Sequence, residues 1–382
     1  MTKPAAKKPR KQTAKQSGKY GERAASGIVP AQAIRALISS GRIKLAEPLL
    51  PNQLQPASLD LRLGPVAFRV RASFLPGPGT VIARKLDDFK MHKIDISHGA
   101  VLETGCVYIV PLMESLKLVP GLSAVANPKS STGRLDVFTR VIADGVSAFD
   151  QVPEGYQGPL YAEICPQTFP IVVRKGSRLS QIRFRHGQPE NGDRALVELQ
   201  RSQTLVATDH ADIQDGIALS VDLSGSPLGL IGYRAKRHTG LVDIDAAASC
   251  ATADYWEPIL SEPSRRLILD PDQFYILASK EAVHVPPTHA AEMVPYNPLV
   301  GEFRVHYAGF FDPGFGHVAA GGAGAKAVLE VRSHNVPFIL EDGQIVGRLI
   351  YERMMEVPEM LYGRDLGSNY QAQGLKLSKH FR

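Results

Sequence analysis

The sequence predicts a mainly all-β chain built from two tandem, distorted β-barrel or jelly-roll units with few, short helices. Three observations lead there. The 382 residues include 34 Gly and 28 Pro, which punctuate turns and interrupt long helices. Short alternating or apolar runs are bounded by Pro, Gly and Asn, the pattern of strands. Above all, the chain repeats itself. Val107-Tyr108-Ile109-Val110 matches Phe274-Tyr275-Ile276-Leu277, and Glu114-Ser115-Leu116-Lys117 matches Glu281-Ala282-Val283-His284, both at an offset of 167. Residues 160–184 match 327–351 in the same register, setting Glu163 on Glu330, Pro170 on Pro337 and Gly176 on Gly343. A weaker match sets 58–64 against 219–225. Self-similarity at a fixed period marks a duplicated structural unit.

The elements follow in chain order. Residues 1–25 are expected to be a disordered basic tail. Residues 1–23 hold eight basic side chains against Glu22 alone, +7 of a net +6, so the remainder carries −1. The tail has no apolar core of a secretion signal and is read as a solubilising arm; contact with nucleic acid is the lesser alternative. The first unit is placed at 26–195 and the second at 196–382. An amphipathic helix from Pro30 to Ile38, stopping near Gly41, opens the first unit. Residues 171–173 before Lys175-Gly176, and 338–340 before Asp342-Gly343, each read as a strand entering a turn. A hydrophobic content of 44% supports a packed core, and no apolar run approaches the roughly 20 residues that span a membrane. Cys106, Cys165 and Cys250 are too scattered for a disulfide framework or a Cys-x-x-Cys metal site, which points to a reducing, cytoplasmic setting.

The two units differ in their chemistry. Residues 128–134 of the first present Lys129, Ser130, Ser131, Gly133 and Arg134 behind a proline. Such a turn offers N–H groups, hydroxyls and two cations to phosphate oxygens, with a polar surface turn as the plain alternative. The counterpart at 297–304 has lost the lysine and the hydroxyls and keeps Arg304. Conversely, the second unit holds the compact turn Phe311-Asp312-Pro313-Gly314, where the first has the longer 149–158. Glu163 lies inside an apolar strand. Facing water it would be an ordinary surface carboxylate; facing inward it would hold its proton more tightly and suit a proton shuttle.

Together, residues 56–64, 128–137, 154–164 and 169–184 resemble the dCTP deaminase group of the dCTP deaminase/dUTPase superfamily, and the duplication resembles its long form. The resemblance implies dUTPase-like barrels and metal-free deamination of dCTP to dUTP and ammonia, feeding dUMP and dTTP synthesis. It makes Glu163 the general acid/base, with Ser130 and Arg134 positioning the water and triphosphate. Lys129 and Ser131 would bind phosphate, Ala143 would hold the base through its backbone with Asp144 beside it, and Asp312 would join the substrate site. Tyr362, Tyr370, Gln371 and Gln373 would belong to a tail closing over the phosphates. Mg2+ would accompany the triphosphate, dTTP would be a candidate inhibitor, and a trimer-like homo-oligomer with no membrane partner is expected. A composite site is expected, with the loop and Glu163 from the first unit and the tail from the second.

Departures and rivals remain. Pro153-Glu154-Gly155 stands where the family has Asp-Pro-Gly. A zinc deaminase needs His-x-Glu and Pro-Cys-x-x-Cys; here His289 and Glu292 are one residue too far apart and lack cysteine partners. A dUTP diphosphatase, or a bifunctional deaminase-diphosphatase, is the near alternative, with Asp150 close to the diphosphatase aspartate. A non-catalytic nucleotide-binding protein is the distant one. The polar tail at 363–382 is expected to act as a lid that contributes little core.

Overall fold

The computed structural model describes residues 26–382 apart from 190–191, 209, 226–227, 296–302, 307–308, 334 and 364–373. The basic tail at 1–25, most of the degenerate loop at 297–304, and Tyr370, Gln371 and Gln373 lie outside the described residues.

The first repeat contributes β1 (Gly27–Ile28), β2 (Ile43–Leu45), β3 (Leu59–Leu61), β4 (Val66–Val70), β5 (Lys90–Asp95), β6 (Ala100–Leu102), β7 (Val107–Lys117), β8 (Leu122–Pro128), β9 (Val137–Ala143), β10 (Gln151–Val152), β11 (Gln157–Pro166), β12 (Ile171–Val173) and β13 (Ser180–His186). The second contributes β14 (Val206–Ala207), β15 (Ile217–Ser220), β16 (Leu230–Ala235), β17 (Val242–Asp243), β18 (Trp256–Leu260), β19 (Arg266–Leu269), β20 (Phe274–Val283), β21 (His289–Pro295), β22 (Phe303–His306), β23 (Phe310–Phe311), β24 (Ala325–Ser333), β25 (Phe338–Glu341) and β26 (Ile345–Arg353). The duplication is visible in the sheets. The path β5-β4-β7-β11-β9 is answered by β18-β16-β20-β24-β22, and β1-β13-β8-β10 by β15-β26-β21-β23. The pair β6-β12 corresponds to β19-β25. The 167-residue offset carries β7 onto β20 and β11 onto β24.

The α-helices among the described residues are short: α1 (Ala31–Ser39), α2 (Ile82–Phe89), α3 (Ser130–Gly133), α4 (Asp193–Ser202) and α5 (Thr252–Tyr255). α1 forms where the sequence placed it, burying Ala31, Ala33, Ile34 and Leu37 at helical spacing. It ends at Ser39, just ahead of Gly41, whose φ of 71° is left-handed. α4 runs across the expected junction between residues 195 and 196.

Each repeat encloses an apolar core. One gathers Ile34, Ile109, Leu160 and Phe184, the other Leu219, Leu277, Leu329 and Leu349. A third cluster belongs to both, with Phe169 and Ile171 packed against Trp256, Phe274 and Leu377. The repeats also interlock through backbone, since β17 pairs in parallel with β12, Ile171 opposite Val242. Arg174 fastens this junction with bidentate bonds to Asp243 at 2.8 and 2.7 Å.

The chain's last residues are core, contrary to the expectation for 363–382. The Phe381 ring lies 6.1, 5.4 and 5.6 Å from those of Phe169, Tyr255 and Trp256. Leu377 and His380 are buried, and Arg382 N donates to Cys250 O at 3.0 Å. The polar composition of the tail hides three apolar or buried anchors near its end, Leu377, His380 and Phe381. Deleting residues 375–382 is expected to cost about 3 kcal/mol or more, the scale of losing one buried large aromatic side chain. Urea or thermal unfolding reads this as a clear drop in the midpoint; an unchanged midpoint would return the segment to the role of a loosely held lid.

Candidate active site

The phosphate-loop candidate is a turn held from both sides. β8 delivers Pro128 and Lys129, and Lys129 N donates to Leu179 O at 2.8 Å. α3 is one tight turn, closed by Gly133 N to Lys129 O at 3.0 Å and Arg134 N to Ser130 O at 3.1 Å. Ser130 is half-buried and Ser131 buried. The Lys129 ammonium pairs with Asp60, which also lies 3.4 Å from Arg178 Nη1. From the chain's end, Ser378 Oγ donates to Ser131 O at 2.7 Å, and Arg134 Nη1 donates to Lys376 O at 3.0 Å.

Arg134 faces the second repeat. Its Nε stands 3.9 Å from Oε1 of Glu330 on β24, and both side chains are almost fully buried. A cation and a carboxylate meet there across the seam between repeats. Burial pushes the Glu330 carboxyl up to about 8, the Asp136 carboxylate adds to the rise, and Arg134 counters it. Asp312 lies on the same side of the seam. It accepts from Arg183 Nη2 at 3.2 Å, and burial raises its carboxyl above the usual range despite Arg183. Arg183 stacks over the Phe310 ring at 4.0 Å. Tyr362 is tied to the Asp-Pro-Gly turn, its N donating to Pro313 O at 2.9 Å and its ring 5.7 Å from Phe315.

Glu163 occupies the equivalent strand position in the first repeat but has different neighbours. It points inward, only 2% exposed, so the water-facing alternative does not hold. On β11 it stands opposite Arg140 of β9 and is held by it: Arg140 Nε donates to Oε1 at 3.1 Å, with a second, shorter bond from Nη2. Arg140 stacks on Phe149 at 3.7 Å and also reaches Ser73 at 3.2 Å. Asp150 lies in this neighbourhood at a left-handed φ of 60°, its Oδ1 accepting from Val141 N at 2.7 Å. Burial pushes its carboxyl up to about 7, with Glu163 and Glu292 adding and Arg140 opposing. Ala143 ends β9 and is buried. Asp144 supports the scaffold: its Oδ1 accepts from Ile82 N at 2.7 Å at the start of α2, and its N donates to Tyr156 Oη at 3.0 Å.

The structure therefore brings Lys129, Ser130, Ser131 and Arg134 together with Asp312 and Tyr362 on the seam, and sets Glu163, Ala143 and Asp144 within the first barrel. Glu330, Asp136, Arg332, Lys376 and Ser378 were not singled out from the sequence. A signal for Glu330 is present in the sequence: the first repeat keeps the loop while the second keeps the Asp-Pro-Gly turn and its strand glutamate. A cavity of about 460 Å³ lies elsewhere, against residues 123–125, 145–148, 151–153 and Arg185, and touches neither the loop nor Glu330.

The two repeats match known protein domains in the same order. The family model described as the 2'-deoxycytidine 5'-triphosphate deaminase N-terminal domain matches residues 25–188, and that for the C-terminal domain matches 192–381. The crystal structure of 2'-deoxycytidine 5'-triphosphate deaminase from Agrobacterium tumefaciens is 61% identical, with a TM-score of 0.84 over 87% of this chain and 99% of that one. A dCTP deaminase of Halorubrum lacusprofundi is 28% identical over 144 residues, 37% of this chain and 68% of its own length. A dUMP-forming dCTP deaminase of Aquifex aeolicus is 27% identical over 164 residues, 41% of this chain and 80% of that protein. The chain belongs to the 2'-deoxycytidine 5'-triphosphate deaminase family.

The raised Glu330 carboxyl has a consequence for stability. Between its ordinary value of 4.5 and about 8 the folded protein holds a proton that the unfolded chain releases. Stability from this group is thus full below 4.5 and lost as pH rises through 8. Glu330→Gln removes the titration, so its melting temperature relative to the parent protein should climb between pH 5 and pH 8.5. Paired thermal melts check this, and a constant or falling difference contradicts a raised Glu330.

Proposed function

We propose that this chain deaminates 2'-deoxycytidine 5'-triphosphate at a site assembled across its two repeats, with Glu330 as the general acid/base. The observation that carries the reading is the Arg134–Glu330 contact. It joins the loop of phosphate-binding composition at 128–134 to a buried carboxyl whose proton affinity lies near neutral pH. A group at about 8 exchanges its proton readily in both directions, which suits a shuttle.

The chemistry needs one water and one shuttle. Glu330, ionised, takes a proton as the water oxygen bonds to cytosine C4, and passes that proton to N3. The tetrahedral carbon then carries both the hydroxyl and the amine. Glu330 moves the hydroxyl proton to the amine, the C4–N bond breaks, and ammonia leaves a C4 carbonyl behind. The sum is dCTP and water to dUTP and ammonia. Arg134 favours the ionised form of Glu330 at the moment water is activated. At the phosphate end, Lys129, Ser130 and the turn of α3 offer donors. Arg178 and Lys379 add positive charge there, Lys379 feeling both Lys129 and Arg178. Magnesium enters with the triphosphate as part of the substrate. The reading assigns no zinc, because the sequence lacks a Cys-x-x-Cys pair.

Glu163, which the family resemblance nominated, is given a supporting role, since its bound oxygen is already committed to Arg140. Glu330→Gln should lower dCTP turnover by about 10²–10⁴-fold while nucleotide binding survives, and Glu163→Gln should keep far more of the rate. Separating dUTP, dUMP and ammonia after incubation reads the rate and the product, including the dUMP that two relatives are named for forming. Loss with Glu163→Gln and near-normal turnover with Glu330→Gln would overturn the assignment. In the same assay, EDTA followed by magnesium or zinc tests the metal: recovery with magnesium fits, and recovery with zinc alone contradicts it.

A further inference from the structure

Beside the Arg134–Glu330 contact, the seam carries a second ion pair of reversed polarity. Asp136 follows Arg134 by two residues and Arg332 follows Glu330 by two, so the same two segments meet twice. Asp136 is fully buried and bonded to the Arg332 guanidinium, itself only 7% exposed. Thr168 Oγ1 donates to Asp136 Oδ2 at 2.5 Å, and Arg332 Nη1 donates to Asp272 O at 2.9 Å. Asp136 adopts a left-handed φ of 57°, a conformation uncommon outside glycine, and is pinned there by its N donating to Gly133 O at 2.9 Å and its O accepting from Gln167 N at 2.9 Å. Such a costly arrangement persists only where its surroundings enforce it.

We propose that Asp136 and Arg332 are positioning residues for the acid/base step: this reciprocal pair holds Glu330 against Arg134 and sets how tightly Glu330 keeps the transferred proton. A carboxylate near another carboxyl makes its proton harder to lose, and a nearby guanidinium makes it easier. Asp136 therefore pulls Glu330 toward the protonated form that delivers a proton to N3. Burial raises the Asp136 carboxyl and the paired Arg332 counters it; the Arg332 charge offsets part of the pull of Asp136 and keeps Glu330 able to ionise when water is activated. Arg134 and Asp136 of the first repeat face Glu330, and Arg332 stands two residues along the same strand, paired with Asp136. In register Glu330 stands opposite Ile276 of β20 and His306 of β22. The pair also gives the two repeats a fixed mutual setting at the site, because each member comes from a different repeat.

The inference rests on the reading of Glu330 as acid/base, so its test reads Glu330 directly. In protein labelled at the glutamate carboxyl carbon, the signal missing from Glu330→Gln is followed against pH by NMR. Asp136→Asn should move the Glu330 midpoint down by about one unit or more, Arg332→Gln should move it up by a similar amount, and Arg332→Lys should leave it near the parent value. The pH limb of turnover should follow the same shifts. Asp136→Asn leaving the midpoint unmoved, or both single variants moving it in one direction, would overturn the proposal; a purely structural pair has no reason to give opposite signs. Should neither single variant fold, the double variant Asp136→Asn/Arg332→Gln decides. With both charges withdrawn the effects cancel to within about half a unit, and a midpoint displaced by more than about one unit overturns the proposal. Normal turnover in Glu330→Gln alongside the predicted midpoints would instead remove the functional reading on which the proposal stands.

Discussion

The charges buried along the seam are satisfied from the opposite repeat, and that requirement fixes how the two barrels sit. Arg134 meets Glu330, Asp136 meets Arg332, and Arg183 reaches Asp312 and Glu352. Arg185 joins Glu292 at 3.0 Å and Glu352 at 2.6 Å. A buried ion pair adds little net stability, but stranding one member costs about 3–5 kcal/mol. Sliding or rotating one repeat would strand several at once. The seam is thus specified by electrostatics, while the shared apolar cluster around Phe169, Trp256 and Phe274 supplies the hydrophobic driving force.

That geometry explains the uneven decay of the two repeats. In the proposed site, a loop that faces the other repeat's carboxyl is needed from one copy only. The first repeat keeps Lys129, Ser130, Ser131 and Arg134; the second keeps Asp312 and Glu330 and has lost the loop's lysine and hydroxyls. In the first repeat, Glu163 has become half of an internal pair with Arg140, stacked under Phe149. Its second oxygen, Oε2, is buried with no hydrogen-bond partner among the described residues.

The fold was legible because its strands repeat. The 167-residue offset and the strand-and-turn punctuation are local signals, and they carried through to the mirrored sheets. The loop was legible for the same reason, as seven consecutive residues of one chemical character. The pairing of Arg134 with Glu330 was not, since nearly 200 residues separate them and no local pattern says which glutamate a loop will face. Glu163 is nominated by its place inside an apolar strand and by the family resemblance, whereas in the folded chain Arg134 lies beside Glu330 of the other repeat. The end of the chain was misjudged for a related reason. Polar residues dominate it, yet Leu377, His380 and Phe381 dock onto a surface that only the folded first repeat and residues 250–256 create together.

The most direct measurement is the structure of the Glu330→Gln protein with dCTP and magnesium bound. The account places the triphosphate on residues 129–134 and sets cytosine C4 and N3 within hydrogen-bonding reach, directly or through one water, of the residue at position 330. A nucleotide whose base instead faces Glu163 and Arg140, with residue 330 out of reach, would contradict it.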